Sequence, residues 1–228
     1  MKVENFDELP STQEYAKEKR SLGENLTVIA KRQSGGEGTK GRSFSSLEGG
    51  VYLSKLTFYK NFPAEEAFKI MVGAAVAVCE TLCFYGLNPV IKWPNDIFVN
   101  DKKICGILIE QVVSGKKISS SIVGVGLNVY NELPEELFNI ATTMKTETGN
   151  DYSVEEVANR LTEELAKEAS MEKYLSYLGY MGREATLIFG DERVHGTLLS
   201  VDEEGGLLVE MKGKTRRLTA AEVSVKGL

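Results

Sequence analysis

Lys92-Trp93-Pro94-Asn95-Asp96, followed after six residues by Lys103-Ile104-Cys105-Gly106-Ile107-Leu108-Ile109-Glu110, is the stretch on which the reading of this chain turns. Pro94 has a locked φ and fixes a turn after a short strand over 90–92, and a longer, largely apolar strand is expected over 103–113. Ser114-Gly115-Lys116 then closes a hairpin onto a further strand over 118–129. Trp93 reads as a packing residue. By spacing alone Lys103 is an exposed strand lysine, and Gly106 and Gly124 mark bulges or a close approach to the sheet.

Upstream, Ser11-Thr12-Gln13-Glu14 has the Ser-x-x-Glu spacing of a capping box, which predicts a first helix to about residue 22, with a strand over 26–32 after it. Residues 34–43 are glycine-rich and read as a loop between that strand and another over 50–58. Over 64–83 apolar residues occupy most of a helical circumference (Phe68, Ile70, Met71, Ala74, Ala75, Val78, Leu82), as in a helix buried against a sheet.

Downstream, Ser153 and Glu156 open another capped helix with Val154, Val157, Leu161 and Leu165 on one face, and the helical region should end before Gly179. Beyond about residue 181 the texture changes to short strands at 185–189, 194–201, 207–211, 215–218 and 222–225. Gly190-Asp191, Asp202-Glu203-Glu204-Gly205-Gly206 and Lys212-Gly213 separate them. That regular spacing predicts a small β-barrel of about 45 residues, so the chain divides into 1–180 and 181–228.

The chain's 228 residues, 42% hydrophobic and 26% charged, suit one substantial core with a small appendage. No uninterrupted apolar run spans a bilayer and the first residues are too polar for a signal peptide, so a cytoplasmic protein with no membrane partner is expected. Three cysteines form no disulfide framework and read as core or half-buried thiols; with one histidine, a structural metal lacks ligands. His195, on a barrel strand, does not suggest a catalytic triad. A net charge of −6 opposes attraction to nucleic-acid backbones.

Gly36-Glu37-Gly38-Thr39-Lys40-Gly41 matches G-x-G-x-x-G, but a dinucleotide fold requires a helix to start at the loop, and 42–54 reads as turn and strand. A phosphate-cradling Walker loop fails for the same reason, with Arg42 where its lysine belongs, and the companion motifs of protein kinases are missing. What remains is a loop of exposed amides with the cations Lys40 and Arg42, suited to closing over an anion. Taken alone, a glycine-rich hairpin turn with solvated charges stays open as the alternative reading.

The 92–96 and 103–110 run resembles the K-W-P-N-D... K-x-x-G-I-L-x-E run of biotin protein ligases. Ser11-Thr12-Gln13, Gln33 with the glycine loop, and Gly124-Val125-Gly126-Leu127-Asn128-Val129 are similar, in order, to further segments of that family, and the terminal strands resemble its Src-homology-3-like domain. The resemblance implies an α/β fold of the class II synthetase-like kind, a mixed sheet with packed helices plus the small barrel. It also implies a form without a DNA-binding domain, because Ser11 already begins the ligase-like region.

It further implies two steps. The biotin carboxylate attacks the α-phosphorus of ATP, giving biotinyl-adenylate and pyrophosphate; a lysine of a biotin carboxyl carrier protein then attacks the mixed anhydride. Lys103, Asp96 and Arg42 are the catalytic candidates, Lys103 bridging carboxylate and α-phosphate, Asp96 holding Mg2+ or accepting the proton of the incoming lysine. Biotin falls to Ser11, Thr12, Gln13, Gln33, Glu37, Gly38, Thr39, Lys103, Gly106 and Gly124. ATP and the adenylate fall to Lys40, Gly41, Arg42, Phe44, Lys92, Asn95, Asp96 and Asn128. A homodimer is compatible with the resemblance. The departure is Glu37 and Thr39, where the family loop commonly has arginine. Two other readings stay open: a lipoate or other acyl-adenylate ligase of the same fold, and a catalytically weak biotin or biotinyl-adenylate binding protein.

Overall fold

The computed structural model describes residues 2–226, the side chains of Lys40 and Lys226 excepted. The first sheet has seven strands: β1 (Lys2–Leu9), β2 (Leu26–Gln33), β3 (Gly50–Pro63), β4 (Val90–Lys92), β5 (Asp96–Val99), β6 (Lys102–Ser114) and β7 (Lys117–Asn128). Their spatial order is β1-β2-β3-β7-β6-β5-β4, with β1 parallel to β2 and the other pairs antiparallel, so the sheet is mixed.

Helix α1 (Thr12–Lys19) covers part of one face, where Ala16 packs with Leu26, Val28, Leu56 and Ile122. The Ser11 half of the expected capping box forms, Ser11 Oγ accepting from the Glu14 amide at 3.3 Å, while the Glu14 carboxylate pairs with Lys17. The opposite face carries α2 (Phe68–Phe84) and, after the short α3 (Met144–Thr148), α4 (Val154–Glu164) and α5 (Met171–Tyr177). The helical region read before Gly179 is thus two helices, α5 opening on its own cap, Ser170. Contrary to the expectation from apolar runs, Ala64–Phe84 is long and apolar enough to cross a membrane. Here that apolarity is used against the sheet: Val72, Ala75, Val78 and Leu82 are buried in the core. Cys79 and Cys105 are buried, whereas Cys83 is exposed beside exposed Phe84, at the end of α2.

β1 and β5 are strands that the sequence pattern does not announce. β1 is an edge strand rich in polar residues, tied to β2 by Asp7–Lys31 (2.8 Å) and Glu8–Arg32 (2.6 Å) ion pairs. Because the pairing is parallel, both strands finish at the same end of the sheet. Ser11-Thr12-Gln13 therefore emerges beside Gln33, with the Ser34 amide on the Leu9 carbonyl at 3.1 Å.

The C-terminal strands, β8 (Glu184–Phe189), β9 (Glu192–Val201), β10 (Leu207–Met211), β11 (Lys214–Leu218) and β12 (Ser224–Lys226), form a second sheet, all antiparallel, in the order β11-β10-β9-β8-β12. Leu198, Val201, Leu207 and Val209 join the same apolar interior as α2 and the first sheet, so one continuous core links the two sheets. His195 is exposed on β9.

Candidate active site

On the face that α1 leaves partly open lies a cavity of about 350 Å3. Its floor is flat because small residues face it across three strands: Gly106 on β6, Gly124 and Gly126 on β7, Ser54 on β3. Register places Asp96, Gly106 and Gly126 side by side in one row and Leu108, Gly124 and Ser54 in the next. Gly124, Gly126 and Asn128 share a face by the two-residue period of a strand.

One end is polar. Thr12 donates to Gln33 Oε1 twice, from its amide at 2.7 Å and its hydroxyl at 3.0 Å; Thr12 Oγ1 also lies 2.9 Å from Ser54 Oγ, which lies 3.1 Å from Gln13 Oε1. Gln33 Nε2 donates to Ser46 Oγ at 2.9 Å, and Ser46 to the Phe44 carbonyl at 3.0 Å. Two hydroxyl protons cannot serve three oxygen–oxygen contacts, while Gln13 Nε2 is buried without a partner. Turning the Gln13 amide over balances the protons: its NH2 donates to Ser54, Ser54 to Thr12, and Thr12 to Gln33. In either orientation one buried amide atom of Gln13 remains for a ligand to satisfy. Ser11 lines the same end while capping α1, so its two expected roles share one position.

Towards the other end stands Lys103, its Nζ 2.6 Å from Asp96 Oδ1, with the two side chains 31% and 24% exposed. On a regular strand Lys103 and Gly106 would face opposite sides. A bulge intervenes: Ile97 pairs with Cys105 but Phe98 with Lys103, one extra residue on β6, and Lys103 turns to the cavity. Its backbone is held by Ile140, whose carbonyl accepts from the Lys103 amide at 2.9 Å, and by Thr142, whose amide donates to the Lys103 carbonyl at 2.9 Å. Asn95 donates to the Ile107 carbonyl at 2.7 Å and Asn128 to the Thr142 carbonyl at 3.0 Å, so each amide also braces the cavity wall. Burial pushes the nearby Cys105 thiol up, which favours its protonated form.

The glycine loop folds over this floor. Glu37 bridges to Ser43, Gly38 donates to the Arg42 carbonyl at 2.6 Å, and Phe44 donates to the Gly36 carbonyl at 2.8 Å. The Phe44 ring rests on the glycines: a methyl added at Gly126 would come within 2.6 Å of Cε1, and one at Gly106 within 3.3 Å of Cε2. Thr39, where resemblance leads one to look for arginine, accepts from Arg42 Nη2 at 2.9 Å through its hydroxyl and from Nε at 3.2 Å through its carbonyl. Glu37 is exposed, and the Lys40 side chain lies outside the described residues.

The structure therefore gathers Ser11, Thr12, Gln13, Gln33, Glu37, Gly38, Thr39, Arg42, Phe44, Asn95, Asp96, Lys103, Gly106, Gly124 and Asn128 around one cavity. It does not bring Gly41 or Lys92 to the lining; the Lys92 ammonium sits 5.0 Å over the Phe98 ring. Lining residues that the sequence reading passes over include Ser54, Gly126 and an apolar wall of Leu133, Leu137, Ile140 and Ala141. Gly126 was legible from its two-residue spacing to Gly124; the wall, in a loop with one short 3-10 turn, has no periodicity to read.

Fold and site together define an α/β protein with a closed-floored cavity for a small ligand on its mixed sheet, and a second, antiparallel sheet at the C-terminal end. Residues 6–128 match the biotin/lipoate A/B protein ligase family, and the chain belongs to that family. It is 30% identical to the bifunctional ligase/repressor BirA of Bacillus subtilis (strain 168), the match covering 96% of this chain and 72% of that protein. It is 26% identical to the biotin--[acetyl-CoA-carboxylase] ligase of Paracoccus denitrificans, covering 90% and 92%. Among solved structures, the biotin protein ligase of Aquifex aeolicus in complex with biotin and ATP superposes with a TM-score of 0.75 at 31% identity, covering 99% and 98%.

Proposed function

We propose that this protein is an ATP-dependent ligase that forms biotinyl-5'-AMP from biotin and ATP and transfers biotin to a lysine of a biotin carboxyl carrier protein. The observation that carries the reading is the polarity of the cavity, with an amide and hydroxyl network at one end and the Lys103 ammonium at the other. A ureido ring has both N–H donors and a carbonyl acceptor, which suits Thr12, Gln13, Gln33 and Ser54; a carboxylate on an apolar tail then lies towards Lys103. In the first step a carboxylate oxygen forms the bond to the α-phosphorus and the bond to the pyrophosphate oxygen breaks. Lys103 would hold carboxylate and α-phosphate together and offset their repulsion.

In the second step the carrier's amine attacks the acyl carbon, AMP leaves, and the amine loses a proton that Asp96 is placed to accept once Lys103 has moved with the phosphate. Arg42, held by Thr39, faces the phosphates from the loop, and the 133–141 wall offers an apolar surface to the base. Bound magnesium would neutralise phosphate charge. Among the described residues no three His, Cys, Asp or Glu side chains converge, which suits an ion that keeps its waters and phosphates and takes at most Asp96 from the protein. In this reading residues 1–180 carry the biotin and ATP site and 181–228 form the appended barrel.

The test is incubation with biotin, ATP, magnesium and a biotin-carrier domain, then mass measurement of both proteins, with lipoate in a parallel arm. Biotin on the carrier with release of AMP and pyrophosphate is the expected result. Modification by lipoate alone, or retention of biotin without pyrophosphate release, would replace the reading by one of the two alternatives.

A further inference from the structure

Trp93 does more than fill the core. Its Nε1 donates to the Gly205 carbonyl at 3.1 Å, a bond from the turn that carries Asp96 to the β9–β10 turn of the C-terminal sheet. Gly205 has φ +84° and sits on the Phe68 ring, where an added methyl would lie 2.6 Å from Cε2, so a larger residue is strained and must displace the ring. The β9–β10 turn is itself cross-tied. Asp202 accepts from the Gly206 amide at 2.7 Å and the Glu204 amide at 3.1 Å, and Arg217 closes over it.

The turn after Trp93 is held at two further points. Buried Tyr174 of α5, its ring edge-on to Phe68 at 5.5 Å, donates to the Pro94 carbonyl at 3.2 Å. Asn95 and Ile107 exchange two bonds, at 2.7 and 3.0 Å. Asp96, the next residue, holds Lys103. Of these anchors only Gly205 belongs to the C-terminal unit, none of whose described residues lines the cavity.

We propose that the 202–206 turn is a positioning device for adenylation: through the Trp93–Gly205 bond and the seat of Gly205 on Phe68 it sets where Asp96 holds the Lys103 ammonium. Trp93 is then a positioning residue that touches no substrate. The proposal rests on the ligase reading above and names a part of its machinery outside the cavity.

Trp93 is the only tryptophan, so its emission reports on the contact directly. The full-length wild type is compared with Trp93→Phe, Gly205→Ala, Gly205→Ala/Phe68→Leu, and Leu161→Ala as a destabilised control in α4. Pyrophosphate release with biotin and ATP and melting temperature are measured for all, and tryptophan emission for those that keep Trp93. For Trp93→Phe the expected result is a fall in kcat of about tenfold, the scale of one buried hydrogen bond that orients reacting groups, with the biotin KM within about twofold. Gly205→Ala should lower kcat comparably and shift the emission to the red, and Phe68→Leu should reverse part of both by making room.

A folded Trp93→Phe or Gly205→Ala protein with wild-type kcat would overturn the coupling, as would losses that merely follow melting temperature as in Leu161→Ala. A wild type that releases no pyrophosphate overturns the ligase reading, and this proposal with it. An active wild type beside an unaffected Trp93→Phe overturns the coupling alone.

Discussion

Removing the Lys103 ammonium is the perturbation whose size follows most directly from the geometry. A unit charge about 4 Å from a phosphate oxygen is worth about 4 kcal/mol at an effective dielectric constant of about 20. Each 1.36 kcal/mol is a factor of about ten in rate, so full loss would be roughly a thousandfold. Lys103 is 31% exposed, and solvent screening of that part reduces the expectation to about a hundred- to a thousandfold slower adenylate formation in Lys103→Ala.

The fold should survive, because the side chain lines a cavity and its backbone bonds to Ile140 and Thr142 are retained. The pair with Asp96 adds a sharper expectation. Without Lys103 the Asp96 carboxylate is left facing the phosphates, so Lys103→Ala/Asp96→Asn should be faster than Lys103→Ala by about tenfold, or about 1.4 kcal/mol, and the Asp96→Asn single variant closes the cycle that gives the coupling of the pair. Single-turnover pyrophosphate release with biotin and ATP measures both. Release by folded Lys103→Ala within tenfold of wild type would refute the reasoning about the cation. A double variant slower than the single would show that Asp96 has a duty other than holding Lys103.

Glu37→Arg adds a cation to the loop and should lower the apparent KM for ATP by about 1 kcal/mol equivalent and slow escape of biotinyl-adenylate; agreement of wild type, Glu37→Arg and Glu37→Gln within error would mark Glu37 as a solvated loop residue. Gly126→Ala pushes the Phe44 ring off the floor, and an overpacking cost of about 1–2 kcal/mol should appear as weaker ATP binding rather than lower melting temperature, since the ring belongs to a loop; isothermal titration decides it. Burial alone would raise the Asp202 carboxyl, but Arg217 and the Gly206 and Glu204 amides outweigh it and hold the group below its ordinary value. Its stabilising share is therefore present above the unfolded value near 3.8 and lost as pH falls through the lower folded value. Acid titration followed by Trp93 emission should show this loss in wild type and a smaller one in Asp202→Asn; identical profiles would remove Asp202 from the turn's stability.

What the sequence by itself determined is local. Ser11 and Ser153 cap the helices that their spacing announced, residues 114–116 close the hairpin between β6 and β7, and the core helix read over 64–83 forms as α2 (Phe68–Phe84) after a 3-10 turn at Ala64–Glu66, because caps, turns and apolar periodicity act within a few residues. The long ordered run from Lys92 to Glu110 also carried the family. Which residues meet was decided only by the tertiary structure. The polar β1 becomes a strand by pairing with β2, 24 positions away, and that parallel pairing sets Ser11-Thr12-Gln13 beside Gln33. Alternation along a strand predicts which face a side chain takes only while the register is regular; one extra residue at the β5–β6 bulge brings Lys103 to the cavity. Lys92, by contrast, lies over Phe98 and outside the lining. The bond from Trp93 to Gly205 spans 112 residues and joins two sheets, a contact that no local spacing encodes because its partners are neighbours only once the core has closed.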